Sequence, residues 1–519
     1  MWCNTQVTYS PSPNNARSES EVESNPLNSL NMVGASKRFT NPATYDFTLA
    51  AYSTFDGGES WGEAAPLALL GHPDPNRVWA GISDPAVAWD NAGGCYLFAL
   101  PFPGPPSPYQ TLGIAVYKSG DGGRTWSAPN FIHQSTGDDK QWATGDRNPG
   151  SPYYGHVYAA WDNGSQLAFV RTVDHGATWR GVGTQPVGSS LAPDSFSPSI
   201  TVMNDGSVLI FWIAGSTIKY VKSTDGGDSF SAPQVAASGL TTLSGSLPAP
   251  GGFPELPGGK FRVLTLPTSC AGSGPEVVVA WADYRDGASR IYYRRSTNRG
   301  GAWLGPASGQ RLLPAGPPLT QHDFHPQLAS TPSGAIGCAY YEFGPKWSGG
   351  PSWIDVQLAI SHDGGATFGD VERVSNVSWD PAVDAPLSHG DPRTTFIGDY
   401  FALGASNRGF FPFWTDTRTG IQEIFCGRAL VLGPWTGVQF RGTVPAGATH
   451  RWYTWGWPAC WHVVWDVLPT TPHSGAPQLR WRVQVERASS GSITYWLAIT
   501  NVSSNAIDVE ARYAVLAAD

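Results

Sequence analysis

The chain has 519 residues, of which 14% are charged, with 61 Gly, 44 Pro, 23 Trp and a formal net charge of −9. That profile belongs to many short strands joined by tight turns, not to helices. No basic stripe offsets phosphate repulsion, which argues against nucleic acid as a partner, and no run of 18 apolar residues is present to span a membrane.

The opening Met1-Trp2-Cys3-Asn4-Thr5-Gln6 has no basic or apolar leader region. It reads as a leaderless chain or a trimmed secreted one, so the compartment stays open. Gln6-Val7-Thr8-Tyr9-Ser10 is a first short strand. Units of three strands then open near Glu21, Pro85, Lys140, Pro198, Phe261, His325 and Ile397. The second unit is typical. Pro85-Ala86-Val87-Ala88-Trp89-Asp90 leads through Asn91-Ala92-Gly93-Gly94 to Cys95-Tyr96-Leu97-Phe98-Ala99-Leu100, then Leu112-Gly113-Ile114-Ala115-Val116-Tyr117.

In six units the third strand runs into nearly the same phrase. Its first copy is Ser53-Thr54-Phe55-Asp56-Gly57-Gly58-Glu59-Ser60-Trp61, and the others occupy 119–126, 172–179, 223–230, 296–303 and 361–368. Five copies keep the acid (Asp56, Asp121, Asp174, Asp225, Asp363) and the fifth in order has Asn298. Such an acid accepts from the backbone N–H groups after it, the glycines allow positive φ, and the aromatic staples the turn to the sheet. The seventh unit lacks the phrase.

Repeats at this period decide the architecture. Small antiparallel sheets bury both faces only by stacking radially, each with a further strand after its phrase. The expectation is an all-β chain with a seven-bladed β-propeller over 1–434, the stretch 6–10 closing the last blade. Six blades is the alternative. Residues 437–519 alternate with period two between Pro/Gly turns and read as a small β-sandwich. Seven tryptophans fall there (Trp452, Trp455, Trp457, Trp461, Trp465, Trp481, Trp496), and Trp455-Gly456-Trp457-Pro458 breaks the alternation as an exposed platform.

The repeated phrase resembles the Asp-box of sialidases and related β-propellers. The resemblance implies that the boxes are scaffold and that a carbohydrate or glycoconjugate is the partner. Sialidases use a tyrosine nucleophile assisted by a glutamate, an aspartate acid, and three arginines that clamp the substrate carboxylate. Blade topology sets the boxes on one face. The opposite, funnel face collects first-strand starts and the loops after second strands, where a pocket is favoured. On that face the sequence places Glu21, Asp84, Asp139, Asp194, Asp283, Glu342 and Asp399, five arginines (Arg38, Arg262, Arg285, Arg393, Arg418), and Trp142, His325, Tyr340 and Tyr341.

The aromatic-Arg-Ile-Pro motif of a sialidase's opening blade is absent. Its nearest match, Phe261-Arg262-Val263-Leu264, is displaced to the fifth unit and lacks the proline. Trp281-Ala282-Asp283-Tyr284-Arg285 and Trp414-Thr415-Asp416-Thr417-Arg418 duplicate one pattern, which points to a repeated turn with a local Asp–Arg pair. The expected function is therefore glycan recognition without the sialidase machinery. Its ligand-binding residues would be Arg38, Arg262, Arg285, Arg393, Trp142, His325 and Trp347. One alternative is an active glycoside hydrolase or polysaccharide lyase using Tyr341, Glu342 and Asp139. The other is a protein-interaction scaffold. The proline-rich loop 101–110 and the insert 343–353 would wall the funnel. No cofactor is expected, and without His-x-x-x-His or Cys-x-x-Cys no metal either. Cys95 and Cys338 read as buried small residues, and the oligomeric state is open.

Overall fold

The computed structural model describes residues 3–9, 15–71, 78–103, 110–314, 318–428, 435–458, 461–471, 475–489 and 492–518. The chain divides into two compact units, 4–427 and 428–519, with 1–3 grouped with the second.

Among the described residues the larger unit contains seven four-stranded antiparallel sheets. Six are simple meanders whose first strands are Arg17–Ser24, Trp79–Trp89, Asp138–Gly145, Ser199–Val202, Thr268–Ala271 and His322–Ser330. The seventh joins Ala402–Ser406, Gly409–Asp416 and Glu423–Arg428 to Cys3–Gln6 from the other end of the chain. Each first strand lies beside the next in chain order, and Ala402–Ser406 returns to Arg17–Ser24. The sheets thus form a closed ring, the β-propeller arrangement. The closing strand sits earlier than the predicted stretch 6–10. Asn4 anchors it, donating to the Val374 carbonyl at 2.9 Å and accepting from Asn376 N at 2.9 Å. Val7 still donates to Ile424 at 2.8 Å, but Tyr9 is exposed and Ser10 lies outside the described residues.

All six repeated phrases have one geometry. A hydroxyl two residues before the acid donates to it at 2.7–2.8 Å (Thr54, Ser119, Thr172, Ser223, Ser296, Ser361). The same hydroxyl accepts from the N–H two residues after the acid, at 2.8–3.0 Å. That residue is always a glycine at positive φ, as at Gly123 (92°), where a side chain would be strained.

These turns also stitch the ring. In four of them a basic residue just before the hydroxyl reaches the next sheet's turn and donates to the carbonyl following its acid or Asn298. Lys118 donates to His175 at 2.6 Å, Arg171 to Gly226, Lys222 to Arg299 at 2.9 Å and Arg295 to Gly364 at 3.5 Å. Between the sheets Trp161, Trp212, Trp281 and Trp414, each on a second strand, are fully buried. Cys95, Cys270 and Cys338 are free and buried, Cys426 is buried, and Cys460 lies outside the described residues.

The smaller unit has two three-stranded antiparallel sheets. One pairs Trp435–Val444 and Trp461–Pro469 with Ile507–Ala518, and the other pairs Thr449–Pro458 and Leu479–Arg487 with Ser492–Asn501. Trp457, Tyr495, Leu497 and Ile499 from one sheet meet Trp465, Val467, Val509 and Val515 from the other, a β-sandwich core. Among the described residues no helix is long and apolar enough to cross a membrane.

Candidate functional site

Four first strands carry the same irregularity. Their register slips at Ser18/Glu21, Ser83/Ala86, Asp139/Trp142 and Phe324/Gln327. In each, one residue of the bulge adopts a left-handed conformation: Glu19 (φ 51°), Asp84 (52°), Lys140 (51°) and His325 (48°). A non-glycine residue pays for that geometry, and such strain gathers at functional positions.

Glu19, Asp84, Asp139 and Lys140 line one cavity of about 360 Å3, together with Lys37, Tyr45, Arg262, His389 and Asp399. Lys37 comes from the second strand of the first sheet, Met32–Asn41. Arg262 comes from the long connection between the fourth and fifth sheets, held by its N–H on the Thr395 carbonyl at 3.2 Å. Phe47, Phe102, Phe196 and Phe253 add aromatic walls.

Asp399 organises the charges. Its carboxylate takes both Nε and a terminal nitrogen of Arg262, at 2.7 and 2.6 Å, and Lys140 Nζ at 2.7 Å. Burial alone would raise its pKa, but Arg262 and Lys140 hold it far below the usual carboxylate range. Burial likewise opposes the charges of Lys140 and Arg262. For both, Asp399 and other anionic neighbours outweigh it and keep the pKa above the ordinary value. Arg262 also stacks on Phe253 and Phe396, at 4.5 and 4.3 Å.

Lys37 is buried in an aromatic cage, its Nζ 4.2 Å from the centre of Phe47, 4.8 Å from Tyr45 and 4.9 Å from Phe396. It pairs with Glu19 at 3.6 Å. Burial, then Asp84 and Asp399, push Glu19 up to about 8 against the pull of Lys37. Glu19 thus holds its proton more tightly than a free carboxyl. Asp139 opens to solvent at the rim. It is also raised, by desolvation between the surrounding walls and by Asp84 and Asp399, against the pull of Lys140. Burial, Arg262 and Lys37 lower His389 to about 4, leaving its imidazole neutral.

Among the sequence-predicted residues, Asp84, Asp139, Arg262 and Asp399 meet here; the others do not. Arg38 bonds Asn15 at 2.6–2.8 Å and lies 3.5 Å from Glu63. Arg393 is exposed and pairs with Asp391 at 2.6 Å. The three arginines therefore do not converge. Arg285 closes on Asp283, which also accepts from Trp281 at 3.1 Å, and Arg418, Asp416 and Trp414 repeat this arrangement with the indole at 3.0 Å.

Tyr341 is buried, stacked on Phe401 at 4.4 Å, with its hydroxyl accepting from Thr415 N. Glu342 pairs with Lys346 at 3.2 Å. His325 is buried beside Phe324, and burial lowers its pKa to about 3. Trp142 and Glu21 line a second cavity of about 650 Å3. Trp347 is exposed on its insert, edge-on to Trp353 at 5.7 Å. Of the loop 101–110, residues 104–109 lie outside the described residues.

The sequence reading missed Glu19, Lys37, Tyr45 and His389. A bulge adds a residue and shifts the alternation, so Glu19 rather than Glu21 reaches the mouth. A proline follows the bulge residue at Asp84-Pro85 and His325-Pro326, but Glu19 is followed by Ser20, so this mark does not extend to the first sheet. Among the described residues no cluster of three or more His, Cys, Asp or Glu could hold a metal ion.

No family model matches the chain, and no curated protein matches it. Among solved structures it is similar to a Hadza microbial sialidase (14% identity, TM-score 0.42, 65% of this chain and 66% of that one). It is also similar to the intramolecular trans-sialidase from Ruminococcus gnavus (14%, 0.41, 65% and 92%) and the alpha-L-arabinanase of Penicillium chrysogenum (14%, 0.37, 69% and 98%). The chain thus spans slightly less than two thirds of the first. Likenesses this distant carry no residue roles across.

Proposed function

We propose that the mouth cavity recognises a carbohydrate, with a charged, hydrogen-bonding floor and aromatic walls. The observation that carries this reading is the joining of Asp399, Lys140 and Arg262 into one ion-paired cluster in a cavity that Phe102, Phe196 and Phe253 also line. Sugar C–H faces stack on aromatic rings while hydroxyls bond to carboxylates and ammonium groups. A volume of about 360 Å3 lies at the small end of the ~300–1,000 Å3 usual for small-molecule sites, room for a terminal sugar. The scatter of Arg38, Arg262 and Arg393 speaks against a sialidase-type carboxylate clamp.

A second reading rests on Glu19. A glycoside hydrolase needs a pair of carboxyl groups flanking the bond, its acid raised in pKa, and Glu19, raised to about 8, lines the same cavity as Asp84 and Asp139. In this reading Glu19 protonates the glycosidic oxygen, and Asp84 or Asp139 serves as base or nucleophile.

A glycan array run beside a fluorogenic glycoside panel separates the readings. Binding without turnover is expected for recognition. Turnover that falls at least ~100-fold in Glu19→Gln supports hydrolysis. Silence in both assays contradicts the carbohydrate assignment.

A further inference from the structure

The outward face of one sandwich sheet (Thr449–Pro458, Ser492–Asn501, Leu479–Arg487) is not an ordinary solvated surface. Alternation sends Trp457, Tyr495 and Leu497 into the core and turns Tyr453, Trp496 and three arginines outward. Tyr453 stands opposite Trp496 with ring centres 5.0 Å apart and planes 28° from parallel. Trp455 extends the stack at 5.6 Å and 33° and is 71% exposed. Trp496 is oriented by its indole N–H, which donates to Glu486 at 2.8 Å. Single exposed aromatics are common, but a stack of three marks a binding surface.

Next to this stack, Arg451 and Arg482 flank Ala498 from either side, and Arg480 follows along the edge strand. All three are exposed, and none has an ion pair among the described residues; the unit's acid Glu510 is taken by Arg441 and Arg512. Residues 428–519 carry seven Arg against five Asp and Glu, in a chain whose net charge is −9. The positive charge is therefore local to this unit.

We infer that this face binds an acidic polysaccharide, a chain of sugar rings bearing carboxylate or sulfate groups. The open face of Trp455 takes the C–H face of one ring. The arginine row lies one two-residue step, about 7 Å, along the strands, where guanidinium forks grip the anionic group of a neighbouring sugar bidentately. This site is distinct from the mouth cavity and stands without it.

The test is affinity electrophoresis of the full chain in gels holding polygalacturonate, dextran sulfate, neutral dextran or poly(U). Polygalacturonate identifies a carboxylate ligand and dextran sulfate a sulfate ligand. Retardation by at least one of them is expected, weakened by added salt and about 10-fold weaker in dextran and poly(U). Trp455→Ala and the pair Arg451→Ala/Arg482→Ala should each reduce it about 10-fold, with unchanged circular dichroism. Phe253→Ala in the mouth cavity should retain it in full. Indifference to both acidic polymers, equal retardation of the face variants, or equal retardation by poly(U) overturns the inference. So does a dimer in sedimentation that Trp455→Ala dissolves, since the face would then belong to a second copy.

Discussion

In five of the six repeated turns the acid's second oxygen accepts from a hydroxyl four residues on, at Ser60, Thr125, Thr178, Ser229 and Thr367, over 2.5–2.7 Å. The remaining turn has Ala302 at that place and Asn298 instead of the acid. Asn298 keeps the bonds an amide oxygen can make, accepting from Ser296 at 2.8 Å and from Ala302 N at 2.7 Å. Its Nδ2 cannot accept, and Ala302 has nothing to donate, so the two departures match each other. Asn298→Asp alone is expected to bring no gain, because its second oxygen finds no hydroxyl. Asn298→Asp with Ala302→Thr restores the pair and should stabilise by about 1 kcal/mol in urea unfolding. A single variant as stable as the double contradicts the pairing.

At the scale of the strand, the bulge explains both what sequence could show and what it could not. The repeated turns and the Trp-x-Asp-x-Arg duplication are local, so neighbouring residues reveal them. Asp84, Asp139 and Asp399 were legible because each lies just before the apolar run read as a first strand. Glu19 was not, because a bulge is set by packing against the next sheet and leaves no mark in the alternation. Lys37 and Tyr45 lie on one hairpin, Met32–Asn41 and Asp46–Thr54, but His389 comes from the far end of the ring, and only its closure brings them together. The bulge also has a pH signature. The folded state keeps a proton on Glu19 that the unfolded chain, with its value near 4.5, releases. The stability this contributes is full below about pH 4.5 and declines as pH rises towards about 8. Glu19→Gln carries no such titration. Its melting temperature relative to the natural protein should therefore climb between pH 5 and pH 8, by at least about 2 °C. Parallel curves across that range would show that Glu19 ionises normally.

For the whole molecule, the last three-strand unit, which lacks the repeated turn, and a strand from the opposite end of the chain close the ring, the strand sitting earlier than the expected 6–10. Both lie in one four-stranded sheet, Cys3–Gln6 beside Glu423–Arg428. Ring closure sets the repeated turns, with their inter-sheet bonds from Lys118, Arg171, Lys222 and Arg295, apart from the cavity that gathers three of the bulges. That division of labour is the central claim, and calorimetric titration checks it directly. The strongest oligosaccharide from the glycan array is titrated into the natural protein, Asp139→Asn, Phe253→Ala and Trp347→Ala. The expected result is at least about 10-fold weaker binding, ~1.4 kcal/mol, for the first two variants and none for Trp347→Ala, which lies outside the cavity. Unchanged affinity in both Asp139→Asn and Phe253→Ala would contradict a carbohydrate site at the mouth.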